Sequence, residues 1–135
     1  MIHFHKAVEE IYLKDTRYKV DSYEFILQAL RFTQRKLKKQ GHLSGKELAG
    51  GCAKFAIEQY GPMAKAVLKH WGITKTQDFG NIVNNMIDAK LLSKTESDSI
   101  EDFKDVYNFD IVFGNIWDKS AINRNINRKS LQGPH

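Results

Sequence analysis

The chain has 135 residues, of which 41% are hydrophobic and 27% are charged, and its formal net charge is +5. These values are typical of one soluble globular domain, and no apolar run approaches the length of a membrane span. The single cysteine excludes an intrachain disulfide, and charges interrupt the N-terminal apolar residues too often for a signal peptide. We therefore expect a cytoplasmic protein.

The charges are segregated along the sequence. Residues 21–50 are mainly basic, residues 91–118 are mainly acidic, and the segment from Lys119 onward is basic with no acid. This basic–acidic–basic order indicates a protein with distinct charged faces, and the net charge weakly favours an acidic partner.

The first two helices are predicted from apolar spacing. Apolar residues at helical intervals predict a short amphipathic helix over about residues 4–13. The second helix begins at Asp21 or Ser22, either of which can cap it, and runs to about Gln40. Gly41 provides the stop, and the dense apolar pattern makes this the central helix.

Two further helices lead into a turn. Ser44 and Glu47 have the spacing of a capping box, and Gly61-Pro62 separates that helix from a short one that ends at Gly72. The next helix starts at Thr74, whose side chain can cap it with Gln77 in the reciprocal position of a capping box. Its apolar stripe consists of Phe79, Ile82, Val83, Met86 and Ile87.

Two short strands are predicted after this helix, at about residues 91–95 and 103–108, with a polar loop between them. The order helix, turn, helix, hairpin is that of a winged helix. A last short helix follows from Asp110 through Trp117. The predicted fold is thus mainly α with a short antiparallel hairpin: four or five helices in one domain over residues 1–117, followed by a basic, disordered tail over 118–135.

A DNA-reading helix needs side chains that reach base edges and cations that hold phosphate. The exposed face of the helix after the turn offers Lys75, Gln77, Asn81, Asn84 and Asn85. It carries no arginine, and the predicted wing is acidic, so phosphate attraction is weak. We favour a helix that supports the fold and has a solvated polar face over a sequence-specific reader.

The second helix is the stronger electrostatic candidate, because Arg31, Arg35, Lys38 and His42 share one face. Cations near a helix C-terminus offset its partial negative charge, and this explanation is favoured over an anion-binding surface. If the protein binds nucleic acid, weakly and without sequence preference, the residues responsible are Arg31, Arg35, Lys38, Lys39, Arg124 and Arg128.

The sequence indicates no catalytic, cofactor or metal site. Cys52 lies on an apolar helix stripe, where a buried core residue is favoured over a nucleophile. His3 and His5 alone do not make a metal site. An enzyme would need a pocket that the sequence does not reveal, gathering His70, Tyr60 and Glu58.

Four segments carry a family resemblance: "DSYEFILQAL", "EQYGPMAKAVLKHWGI", "DFGNIVNNMIDAKLLSKTESDS" and "EDFKDVYNF". Together they resemble the successive motifs of a small bacterial family of uncharacterised proteins, over roughly residues 6 to 113. That family commonly has a glycine where Ala89 or Lys90 stands, and this sequence departs from it there. The resemblance implies a single-domain cytoplasmic protein, and it supplies no activity and no functional residues to transfer.

The favoured function is a non-catalytic binding module that docks a protein partner or a second copy of itself. Weak nucleic-acid binding through residues 31–42 and the tail is the first alternative, and an enzyme is the second.

Overall fold

Helices make up nearly all the regular structure of the computed structural model, which describes residues 2–93 and 100–114. The α-helices are α1 Ile2–Lys14, α2 Val20–Leu37, α3 Gly45–Tyr60, α4 Ala64–His70, α5 Thr76–Asp88 and α6 Phe109–Phe113. Short 3₁₀ turns lie at Gly61–Met63 and Ile100–Phe103. The predicted helical character is confirmed. Within this described part of the chain, no helix combines the length and apolarity that crossing a membrane requires.

Helix α2 is central, as its apolar density predicted. Tyr23, Ile26 and Leu30 on its inner side are almost completely buried, and the helix packs against both α3 and α5. A large apolar side chain buried to this extent stabilises the fold by about 2 kcal/mol. Gly51 allows α3 to approach closely, because a Cβ at that position would overlap the side chain of Thr33 on α2.

The start of α3 and the end of α2 are set by local hydrogen bonds. The Ser44 hydroxyl accepts from the Glu47 amide at 3.0 Å, and the Glu47 carboxylate accepts from the Ser44 amide at 2.8 Å, so the predicted capping box is confirmed. Helix α2 ends at Leu37, earlier than predicted, because Lys38 adopts a left-handed conformation with φ 56°. The side-chain amide of Gln34 then donates to the backbone carbonyl of Gly41 at 2.9 Å and holds the chain in its turn.

The turn between α4 and α5 follows the sequence prediction, but the cap of α5 does not. Gly72 has φ 94°, and Ile73 is fully buried. The predicted pairing of Thr74 with Gln77 is wrong. Instead, the Asp78 carboxylate accepts from the backbone amides of Thr74 at 2.9 Å and Lys75 at 3.2 Å.

The predicted hairpin is wrong, and with it the winged helix. Residues 91–93 form a bend and residues 103–108 form the end of a 3₁₀ turn and a loop, so no strand occurs in either described segment. The Thr76 hydroxyl supplies the hydrogen bonds that a partner strand would otherwise provide: it donates to the Phe103 carbonyl at 2.6 Å and accepts from the Val106 amide at 3.1 Å. The alternating aromatic residues of this segment therefore pack onto helices.

That packing can be followed through two of the aromatic residues. The Phe103 ring is fully buried against Gly80 of α5, where a Cβ would crowd it. The Tyr107 hydroxyl donates to the Ala49 carbonyl of α3 at 2.7 Å. The period-two pattern thus reflects a loop whose aromatic residues reach back to α5 and α3.

Candidate interaction surfaces

The predicted cations in and just after the last part of α2 form one continuous surface, which we call the basic surface and define as Arg31, Arg35, Lys38 and Lys39. All four side chains are exposed. They border two open grooves with volumes of about 370 Å³ and about 570 Å³. The lining residues of the smaller groove are Leu27, Gln28, Arg31, Arg35 and Phe55. Those of the larger groove are Arg31, Gln34, Arg35, Lys38, Lys39 and Gln40.

The members of the basic surface differ in their local contacts. Lys39 pairs with the Glu47 carboxylate at 2.8 Å, and this contact is the main reason why the pKa of Glu47 is lowered. Arg31 donates to the Gln34 side chain at 3.2 Å. The side chains of Arg35 and Lys38 make no hydrogen bond or ion pair with residues 2–93 or 100–114, so their charges are directed to solvent.

The basic surface also has an apolar component. The Phe55 ring of α3 packs at a tilt against Phe25 and Phe32 of α2, with ring centroids 5.6 Å and 5.1 Å apart. Leu27 is half-buried next to it, at the smaller groove. Arginines that share a groove with aromatic and aliphatic side chains have the composition of the central part of a protein interface.

Two of the five residues of the predicted recognition-helix face on α5 are hydrogen-bonded inside the molecule. Asn81 donates to the Tyr18 hydroxyl at 2.9 Å. Asn85 donates to the Asp15 carboxylate at 2.9 Å and to the Tyr23 hydroxyl at 3.1 Å. These two asparagines were expected on a solvated face, but the loop between α1 and α2 folds over them.

The other members of that face are less engaged. Lys75 is exposed, and Gln77 and Asn84 are half-buried. The structure therefore leaves three side chains, between the residue before α5 and its ninth residue, where the sequence predicted five. A base-reading surface needs several convergent donors and acceptors, which this remainder does not provide.

A polar network joins the α1–α2 loop to α5. The buried Tyr18 hydroxyl donates to the Asp78 carboxylate at 2.6 Å. Asp15 accepts a bidentate pair from Arg17 at 2.7 Å and 2.9 Å, which is the main reason why the Asp15 pKa lies far below its usual range. Sequence analysis missed Tyr18 and Asp78. The signal for Asp78 was an acid at the third position of α5, where a carboxylate can reach back to free amides.

The residues proposed for an enzyme pocket are not gathered. His70 lines an open groove of about 320 Å³ with Tyr12, Lys19, Val20, Asp21 and Trp71, and neither Tyr60 nor Glu58 lines it. Tyr60 instead packs edge-on against Trp71, with ring centroids 5.9 Å apart. Glu58 is exposed.

Cys52 is a core residue, as predicted. It is fully buried, and burial raises the pKa of its thiol well above its ordinary value, so the reactive thiolate is disfavoured. Across residues 2–93 and 100–114, no three His, Cys, Asp or Glu side chains are grouped so that they can hold a metal ion.

The predicted tail cations Arg124 and Arg128 lie outside the described residues, as do the end of the predicted last helix and the whole of the predicted 118–135 tail. Comparisons with protein-family models, curated proteins and solved structures found no match to this chain. The resemblance to a bacterial family therefore remains a prediction.

Proposed function

We propose that this protein is a non-catalytic docking module that binds a carboxylate-rich protein surface through the basic surface of α2. The observation that carries the proposal is the juxtaposition of exposed Arg31 and Arg35 with Leu27 and Phe55 at one groove. Guanidinium groups pair with carboxylates in a bidentate geometry, and an adjacent apolar floor gives the partner a surface to bury.

A protein partner is favoured over nucleic acid for two reasons. The basic surface contains four cations, and Lys39 is already neutralised by Glu47. Few phosphate contacts give only weak binding to nucleic acid. In addition, Asn81 and Asn85, the central candidates for reading bases, are hydrogen-bonded within the molecule.

The test is fluorescence anisotropy of the full chain with a labelled peptide rich in glutamate and leucine. A peptide with lysine in place of each glutamate is the matched probe, and random duplex and single-stranded DNA are the competing class. Each titration is made at about 0.05 M and about 0.2 M salt, over which a contact dominated by phosphates weakens by orders of magnitude.

The substituted protein is Arg31→Glu/Arg35→Glu, and its control is Lys104→Glu, since Lys104 is an exposed cation outside α2. We expect that, of these probes, the protein binds only the acidic peptide. The double variant should lose this binding, and the control should retain it. Tight DNA binding that is lost in the same double variant would replace the proposal with a nucleic-acid function. Absence of binding to any probe would overturn the proposal.

A further inference from the structure

The exposed side of α2 carries a stripe of six side chains whose charge changes from acidic to basic along the chain. Spaced alternately by three and four residues, the first five lie on one face of the helix, the sixth follows directly after its last residue, and every one is exposed. We call them the α2 stripe: Asp21, Glu24, Gln28, Arg31, Arg35 and Lys38. The first two are acidic, the third is neutral, and the last three are basic.

The outer charges of the stripe are complementary to those of a second, antiparallel copy of the stripe. The midpoint lies between Ala29 and Leu30, and the members at equal distances from it are Asp21 with Lys38, Glu24 with Arg35, and Gln28 with Arg31. If a second α2 lies antiparallel across the first, each acid of one copy therefore faces a base of the other. Both outer pairs then occur twice in the assembly.

Stabilisation of the helix by its own charges explains only part of this pattern. The helix dipole favours acids in the first turn and bases in the last turn. Glu24 is the fifth residue of α2 and Arg31 is the twelfth, so both lie outside those turns. Glu24 and Arg31 are also separated by about 10 Å along the helix, too far for an ion pair within one copy.

We propose that α2 forms an isologous homodimer, in which the α2 stripes of two copies pack antiparallel about a twofold axis at the midpoint of the stripe, between Gln28 and Arg31. This inference rests on the proposed function, because it names a second copy as the partner of the basic surface. Leu27 and Phe55, at the groove beside the midpoint, supply apolar surface close to the axis. A shallow crossing angle of about 20° keeps both ends of the stripe in contact.

The size of the stripe sets the strength of the dimer. Its span of about 25 Å and a helix width of about 10 Å give a footprint of about 250 Å² on each copy. The total of about 500 Å² is below the roughly 1,200 Å² of stable interfaces. We therefore expect a dissociation constant above about 1 μM, and strong weakening by salt because the charge pairs remain near solvent.

The test is sedimentation equilibrium of the full chain over a concentration series at low and high salt. Glu24→Arg and Arg35→Glu each place like charges opposite one another twice, and each should weaken association by about tenfold or more. A 1:1 mixture of the two variants pairs opposite charges again, so it should form a heterodimer. The double variant Glu24→Arg/Arg35→Glu restores every outer pair and retains the net charge of +5.

The matched controls are Glu101→Arg and Lys104→Glu, which make the same charge changes at exposed positions in and beside the 3₁₀ turn that packs on α5 and α3. Both controls should associate like the original protein. Circular dichroism of every variant verifies that the helices are retained, and the mixture and the double variant give a gain of association that misfolding cannot produce.

A chain that stays monomeric at all concentrations, or a double variant that does not regain association, would overturn the dimer. The acidic-peptide titration separates the two proposals. A monomer that binds the peptide through Arg31 and Arg35 refutes the dimer and leaves the docking function standing. A monomer that binds no probe refutes both.

Discussion

Replacing Tyr18 by phenylalanine tests how strongly the α1–α2 loop is held on α5. The Tyr18 side chain is 1% exposed, and its hydroxyl donates to Asp78 at 2.6 Å and accepts from Asn81 at 2.9 Å. Tyr18→Phe removes both hydrogen bonds and leaves the aromatic ring in place. The ring's packing is therefore preserved, and the change isolates the contribution of the hydroxyl.

The cost follows from what each former partner keeps. Asp78 is 7% exposed and retains the backbone amides of Thr74 and Lys75, but its Oδ1 loses the only donor that the described residues give it. Asn81 is half-buried and can bond water instead. A hydrogen bond to a charged group contributes about 1.5–3 kcal/mol, so we expect the free energy of unfolding to fall by about 2 kcal/mol.

Urea unfolding followed by circular dichroism measures this change. The slope of the unfolding free energy against urea concentration should be the same in both proteins, as two-state unfolding requires. Tyr12→Phe is the control, because Tyr12 is a half-buried tyrosine whose hydroxyl bonds no described residue, and it should cost less than about 0.5 kcal/mol. Equal losses for the two variants would refute a stabilising role for the Tyr18–Asp78 hydrogen bond.

Tyr18→Phe should also change how the stability of the protein depends on pH above about pH 9. Burial, followed by the hydrogen bond to Asp78, raises the pKa of Tyr18 in the folded protein. A raised pKa contributes stability that is fully present below the unfolded value of about 10 and is lost as the pH rises toward the folded value. As the pH rises from about 9 to about 11, the free energy of unfolding should therefore fall less in Tyr18→Phe than in the original protein. Parallel stability curves over this range would contradict that assignment.

Substitutions at three further positions test the turns and caps. Gly72→Ala should cost at least about 2 kcal/mol in urea unfolding, because φ is 94° and a Cβ would overlap the carbonyl of Arg17; a loss below the effect of Ser44→Ala would contradict this. Ser44→Ala removes the acceptor for the Glu47 amide and should cost about 1 kcal/mol, which Ser44→Asp should largely restore. Lys90→Gly should raise the melting temperature, stabilising by about 0.5 kcal/mol, because relief of φ 63° outweighs the added freedom of the unfolded chain. A lower melting temperature would show that the Lys90 backbone is not strained.

The sequence by itself determined the helical framework, because the relevant signals are local. The capping box of Ser44 and Glu47 closes within one helical turn, and Gly72 followed by buried Ile73 defines a turn whatever surrounds it. The basic surface was predictable in part, since Arg31 and Arg35 share a face of α2, whereas the predicted continuation of that face to Lys38 and His42 is wrong because α2 ends at Leu37. The grooves of the basic surface were not predictable, because they depend on Phe55 from another helix.

Only the tertiary structure decided which polar groups meet across the fold. Alternating aromatic residues predicted a strand at 103–108, yet Thr76, nearly thirty residues away in the chain, satisfies the backbone there and removes the need for a partner strand. The sequence predicted that Asn81 and Asn85 lie on a solvated face, but in the structure the α1–α2 loop covers them. Hydrophobic periodicity reports which side of an element is apolar, whereas the pairing of distant donors and acceptors depends on how the helices pack, and that is fixed by the whole core.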